Sequence, residues 1–408
     1  LLRSTGLYSS QQTRACFWKE WANKCQAMRS YLLIYLSLSL FTSCQTNDES
    51  KDYFSIASGM KPKTKLVRIA LDSLTPSRPN YIQHFESEGN PYLGWVNPIL
   101  LAVQIYNLDN KKMVSRLSNL PLPLPDNAKL HFKKSHQPKI SAFFIWNKEI
   151  HTYTKNNRGS SLIYSLNQFQ IKDTINLAQG IGLKSIDYTS NPLSVLNDKL
   201  YITVDPQIDF NLKINPENRL FWLKSVDLKT NKIDSISVPL PKSYTATFTC
   251  PSSIIPSITT DNKDKIVISW PLSNEISSYD TRTKVFETIP LDLGMPLSKP
   301  EDLEKIDLVN CNYFYEKSYQ IELLKFDRYK EYYYLVCSLP SNSGANSKPY
   351  LLFTLDREFN VISKVDLRAD TFYVQGLFVS KAGLSISTNH INNLNIDESY
   401  AEFMVFDF

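Results

Sequence analysis

Lys265-Ile-Val-Ile-Ser-Trp270, Glu275-Ile-Ser-Ser-Tyr-Asp280 and Val285-Phe-Glu-Thr-Ile289 are short β-branched and aromatic runs separated by polar turns. A fourth run, Ser253–Thr259, precedes them, and Asp261-Asn262 and Arg282 occupy the tight turns. Each run is too short for a stable helix and has the composition of a strand, so the segment predicts one small antiparallel sheet of four strands.

The same arrangement recurs outward in both directions. Tyr81–Phe85, Tyr92–Asn97, Ala102–Tyr106 and Met113–Leu117 predict a sheet near the start, and Phe372–Val379, Leu384–Thr388 and Glu402–Phe406 predict one at the end. An apolar stretch closing on Asn or Asp marks each unit: Tyr106-Asn107, Leu166-Asn167, Val226-Asp227, Tyr279-Asp280, Leu355-Asp356 and Phe406-Asp407. The steps from Asn107 are 60, 60, 53, 76 and 51 residues, about the length of a propeller blade. The last unit lacks an outer strand, while Lys65-Leu-Val-Arg-Ile-Ala-Leu71 is a strand to spare ahead of the first. Pairing the two closes a ring and removes two open edges. The expected fold is all-β: one six-bladed β-propeller of four-stranded antiparallel blades rather than two smaller β domains.

Two connections have their own grammar. Ser298-Lys-Pro-Glu301 has the form of a capping box, predicting a short helix through 302–306 within the long 76-residue step. Leu120-Pro-Leu-Pro-Leu-Pro125 predicts an extended link, because alternate prolines forbid helix and central strand.

Composition supports a β-rich globular chain. Among 408 residues, 12% are aromatic, with 23 Tyr and 21 Phe against 11 Gly. The formal charge of +5 is mostly local: residues 1–43 hold Arg3, Arg14, Lys19, Lys24 and Arg29 against Glu20 alone. Residues 44–408 then carry 40 basic and 39 acidic groups, too balanced for the basic footprint that nucleic acid requires.

The leader has a reading of its own. Tyr31-Leu-Leu-Ile-Tyr-Leu-Ser-Leu-Ser-Leu-Phe41 is too short to span a bilayer but suits the apolar region of a secretion signal, with Arg29 before it and Met28 as a start. Leu40-Phe-Thr-Ser-Cys44 resembles a bacterial lipobox, with Phe41 in place of the usual aliphatic residue, and makes Cys44 the expected lipid attachment site. A plain signal peptide with an incidental cysteine is the alternative. Residues 1–27 then form an upstream extension, 28–43 the signal, 44–63 a flexible tether and 64–408 the propeller. Gln45-Thr-Asn-Asp-Glu-Ser-Lys-Asp52 resembles the acidic patch of surface-exported lipoproteins, or is a solvated linker facing the periplasm.

Tyr81-Ile-Gln-His-Phe-Glu-Ser-Glu-Gly-Asn-Pro-Tyr-Leu93, Val103-Gln-Ile-Tyr-Asn-Leu-Asp-Asn110, Phe326-Asp-Arg-Tyr-Lys-Glu-Tyr-Tyr-Tyr334 and Phe353-Thr-Leu-Asp-Arg-Glu-Phe-Asn-Val361 together resemble a Bacteroidota lipoprotein family, domain of unknown function 4221. The resemblance spans about residues 30–408. It implies a signal-lipobox leader and a propeller-like body, and it brings no catalytic residues.

The sequence offers little local chemistry. His84, His131, His136, His151 and His390 have no zinc-site spacing, and His131 and His136 share a segment with Lys133 and Lys134. No nucleophile elbow or phosphate loop is present. No catalytic residue, metal ligand or cofactor is therefore assigned. Beyond the leader and Cys44, Cys250, Cys311 and Cys337 permit one disulfide, with Cys337 expected as a buried thiol in the Tyr332–Leu339 run.

With the four strands of each unit lettered A to D in chain order, strand alternation places the A–B and C–D turns on one face of the ring and the B–C and D–A connections on the other. The long connections 118–138, 205–218, 241–250, 291–311, 340–348 and 389–399 all fall on the second face. Loops on a rigid scaffold carry binding, so Phe210, Tyr244, Phe248 and Tyr313 are the candidate binding face for an unknown ligand or protein partner. The expected function is a lipid-anchored binding protein of the cell envelope, touching the membrane only through its anchor. The alternative is a propeller hydrolase or lyase acting on a glycan or small metabolite. That reading calls for carboxylates at the axial ends of the A strands, where the acids are few beyond Glu86 and Asp187.

Overall fold

The computed structural model describes residues 53–408 apart from 80, 98–99, 101, 119–138, 156–160, 168–169, 177–190, 205–219, 245–254, 300–310, 342–346 and 394–395. Residues 54–408 form one compact unit. Two strands, β1 (Phe54–Gly59) and β2 (Lys63–Ala70), precede the first sheet. That sheet is β3 (Ile82–Ser87), β4 (Asn90–Asn97), β5 (Ala102–Asn107) and β6 (Lys112–Ser118); the second is β7 (Lys139–Trp146), β8 (Glu149–Lys155), β9 (Ser161–Asn167) and β10 (Gln170–Asn176). The third holds β11 (Ser194–Leu196), β12 (Lys199–Thr203), β13 (Leu220–Asp227) and β14 (Ile233–Val238), the fourth β15 (Ser257–Thr260), β16 (Lys265–Ser269), β17 (Glu275–Asp280) and β18 (Phe286–Pro290).

A short helix, α1 (Cys311–Lys317), leads to the fifth sheet, β19 (Gln320–Asp327), β20 (Tyr332–Ser338), β21 (Tyr350–Leu355) and β22 (Val361–Leu367). The sixth contains β23 (Tyr373–Ser380), β24 (Gly383–Ser387) and β25 (Tyr400–Asp407), and β2 pairs antiparallel with β25 from Lys63↔Asp407 to Ala70↔Tyr400. The chain is thus all-β in a propeller-like arrangement of small antiparallel sheets. In the first sheet the predicted strand ends agree with the observed ones within two residues.

Both faces of a sheet are buried against neighbours, and side-chain alternation decides which residue faces which neighbour. On β12, Leu200 and Ile202 join the apolar cluster shared with the first two sheets, while Tyr201 between them joins the cluster of the fourth. On β16, Ile266 and Ile268 face the third sheet and Val267 the fifth. On β4, Leu93 and Trp95 pack against Phe403 and Ile69 of the sixth sheet. The first strands of the sheets lie innermost: β23 touches β3 and β19, β15 touches β19 and β11, and β11 touches β7, which packs on β4 and β5.

The recurring Asn or Asp ends the third strand of a sheet and caps the turn that follows. Asn107 Oδ1 accepts from the amides of Asp109 and Asn110, Asp227 Oδ1 from Lys229 and Thr230, and Asp280 Oδ1 from Arg282 and Thr283. Such side chains mimic a backbone turn. Asp407, at the end of the last such strand, instead accepts from the Lys330 ammonium of the fifth sheet.

One expectation is corrected. The tether does not continue to residue 63, because β1 adds a fifth strand to the fifth sheet with Phe54↔Leu367 in register. Phe54 packs edge-on against Phe406 at 5.3 Å, and the strand covers an edge that β22 would otherwise leave open. The crossing to the sixth sheet needs Gly59, whose φ is +82° and whose Cβ would strike the carbonyl of Ile362. The Ser298 hydroxyl accepts from the Tyr319 amide at 3.0 Å. The expected helix at 302–306 lies outside the described residues, as do the 120–125 proline segment, His131 and His136.

Candidate functional site

On β19, a bulge between Ile321 and Leu323 resets the alternation. Leu324 and Phe326 then pack into the cluster between the fourth and fifth sheets. Lys325 falls on the opposite side of the pleat. It lines a cavity of about 140 Å³ bounded by innermost strands of five sheets, β3, β11, β15, β19 and β23, so the cavity lies where the sheets converge. Arg328, Tyr329 and Asn262 carry its lining to the A–B turns.

Burial pushes the Lys325 ammonium down to about 8. Among the described residues it has no hydrogen-bond or ion-pair partner. Two of the fourteen residues lining the cavity, Lys325 and Arg328, are cationic, and none of those described is a carboxylate. The Gln83 amide oxygen lies 3.2 Å from the buried Tyr81 hydroxyl, and Thr259 Oγ1 accepts from the Phe326 amide at 3.1 Å.

The A–B turn of the fifth sheet is built by Asp327. Its fully buried carboxylate accepts from the amides of Tyr329 and Lys330 at 2.8 and 3.1 Å and from the Tyr334 hydroxyl at 3.0 Å. That turn presents Arg328, which donates to the Tyr329 hydroxyl at 2.7 Å and lies 3.7 Å from Glu86. Tyr329 in turn donates to Glu86, whose carboxyl is held below its usual range mainly by that bond. Burial, then the bond to Glu86, raise the Tyr329 phenol to about 12. His84 stacks on Phe378 at 6.4 Å and meets Tyr329 edge-on. Burial, and secondarily Arg328, push it down to about 4, so it is neutral at pH 7.

A second cavity, about 870 Å³, lies between the sixth and first sheets and shares Phe378 with the first. Val67, Phe403 and Val405 line it together with Lys63, Lys65, Lys111 and Lys381, and the carboxylates Glu86, Asp109 and Asp407 are in the same lining.

The residues expected to form a binding face are dispersed in their roles. Tyr244 is corrected to a core residue: it is fully buried, its ring packs on Trp270 at 5.8 Å, and its hydroxyl accepts from the Leu272 amide at 2.9 Å. Tyr313 on α1 is 62% exposed, while its neighbour Phe314 packs in the same apolar cluster as Tyr244. Phe210, Phe248, Cys44, Cys250 and Asp187 lie outside the described residues. Cys311 is disulfide-bonded to a partner outside them, and Cys337 is a buried free thiol as expected. His151 stacks on Phe144, and His390 is buried 3.8 Å from Asp370. Among the described residues, no three His, Cys, Asp or Glu side chains converge as for a metal, and no helix is long and apolar enough to cross a membrane.

Sequence reasoning missed Lys325. Its signal was a single cation inside the otherwise apolar Leu323-Leu-Lys-Phe326, but a strand pattern alone does not say which residues border an axis.

No protein-family model matches the chain, and no curated protein matches it. Among solved structures, a member of the domain of unknown function 4221 family from Bacteroides vulgatus has the same fold, with a TM-score of 0.67 and 17% identity over 87% of this chain and 98% of that one. A candidate exported protein of Bacteroides fragilis aligns with a TM-score of 0.51 and 11% identity over 86% of this chain and 98% of that one.

Proposed function

We propose that the chain is a lipid-anchored envelope protein, a member of the domain of unknown function 4221 family, and that it binds a small ligand in the axial cavity. The six sheets act as six blades of one ring, with β2 as the outer strand that closes the last blade. The observation that carries the reading is the convergence of five innermost strands on a cavity that holds a lysine with no counter-ion among the described residues. Cavities with a few fixed polar groups are the usual ligand sites of globular folds.

The leader, the tether and the exported neighbour support an envelope location, with Cys44 as the anchor. Phe54 is ten positions after Cys44, a span of at most about 35 Å. Phe54 pairs with Leu367, at the end of β22 that leads into the D–A connection. The anchor therefore joins on the long-loop side, and the A–B end of the cavity lies on the opposite side. Tyr313 remains a contact point for a protein partner on the long-loop face.

The experiment has two arms. Labelling of cells with an alkynyl fatty acid should mark the wild-type protein and not Cys44→Ala, and label on both or neither would remove the anchor. Substituting Ser194→Trp to fill the cavity should abolish thermal stabilisation by whichever compound a metabolite screen identifies. Retained stabilisation would move the site elsewhere.

A further inference from the structure

Resting on the axial-cavity reading, we propose that the ligand is a small oxyanion, a carboxylate or phosphate group, seated on the Lys325 ammonium with Gln83 and Thr259 as neutral donors. Three observations converge on it. Lys325 and Arg328 both line the cavity, and the described lining holds no carboxylate to balance them. Arg328 is already engaged by Tyr329 and Glu86, which leaves Lys325 as the uncompensated charge.

Two neutral lining residues can donate. Gln83 lines the cavity with an amide whose NH2 group is a donor. Thr259 Oγ1 is taken as an acceptor by the Phe326 amide, which leaves its proton. His84 is neutral and adds no charge.

The contrast within the molecule supports the assignment. The neighbouring 870 Å³ cavity is lined by the carboxylates Glu86, Asp109 and Asp407 as well as by lysines, whereas the described lining around Lys325 holds no carboxylate. An uncompensated buried ammonium lowers stability, and a bound anion would relieve that cost. Since a water needs roughly 10–15 Å³ of such space, 140 Å³ admits an anion of several heavy atoms but not an oligosaccharide.

The test is titration calorimetry and thermal shift of the purified protein with sodium phosphate and sodium acetate, alongside glycerol and methylammonium, at matched ionic strength. Lys325→Met and Lys325→Gln are measured in parallel. These variants remove a half-buried charge that has no partner among the described residues and so should fold at least as well as wild type. At least one anion should bind wild type and bind both variants at least about tenfold more weakly, as expected for loss of a charged hydrogen bond. Anion binding equal in wild type and both variants, or no anion binding at all, overturns the assignment. Binding of glycerol or methylammonium alone, abolished by Ser194→Trp, keeps the axial site and removes the anion; no binding by any of the four removes the anion and leaves the metabolite screen to judge the site.

Discussion

The Tyr81 hydroxyl donates to the Phe143 carbonyl at 2.9 Å and accepts from the Leu193 amide at 3.1 Å. One fully buried side chain at the mouth of the first sheet thereby joins the backbones of the second sheet and of the segment entering the third. Burial raises this phenol far above its ordinary range, so the hydroxyl stays protonated. Tyr81→Phe leaves a buried carbonyl and a buried amide short of a partner and should cost about 1–3 kcal/mol. Urea denaturation checks it, and an unchanged midpoint would mean that water replaces the hydroxyl.

Gly94 is the second joint between these sheets. A Cβ there would fall within the Phe143 ring, which is itself fully buried. Gly94→Ala should destabilise by about 1–3 kcal/mol through overpacking. Combining it with Phe143→Leu should recover part of that loss, and a strictly additive double mutant would place the strain elsewhere.

The pH dependence of stability should carry the signature of Lys325. Its folded ammonium titrates at about 8, against ~10.4 for a solvated lysine. Between those values the unfolded chain holds a proton that the folded chain has released, so this group's contribution to stability rises with pH. His84 is neutral throughout the window. Lys325→Met should be more stable than wild type at pH 7, and the difference should shrink towards pH 10. A difference constant with pH would show that the charge is not the cause.

The cysteines predict a sharp chemical contrast. Cys337 is free, and under the proposed processing of the leader Cys250 is the expected partner of Cys311. Non-reducing peptide mapping should recover that pair. Cys337 is fully buried and its thiol is pushed up by burial, so iodoacetamide should label it only after denaturation.

The N-terminal strands should differ in importance. Deletion of residues 1–53 should leave the melting temperature unchanged. Deletion through residue 62 removes β1 and bares β22, and deletion through residue 70 also removes the partner of β25. The last should abolish cooperative unfolding in calorimetry, and a retained sharp transition would show that the sixth sheet is stable as three strands.

Local rules were enough for much of this chain. Strand runs such as Lys265–Ser269, the Asx-capped turns at Asn107, Asp227 and Asp280, and the pairing of 65–71 with the last sheet were legible because short-range sterics, backbone hydrogen bonding and the need to cover edges act within single units. The buried thiol of Cys337 followed from its apolar run in the same way. Tyr244 shows where such rules end, since an aromatic residue in a long connection reads as surface until Trp270 and the Leu272 amide are found around it. Lys325 shows it more strongly. Both faces of these sheets are buried, so alternation reveals two sides but not which one borders the axis, and the cavity exists only where residues more than 100 positions apart, Gln83, Ser194 and Lys325 among them, are folded together.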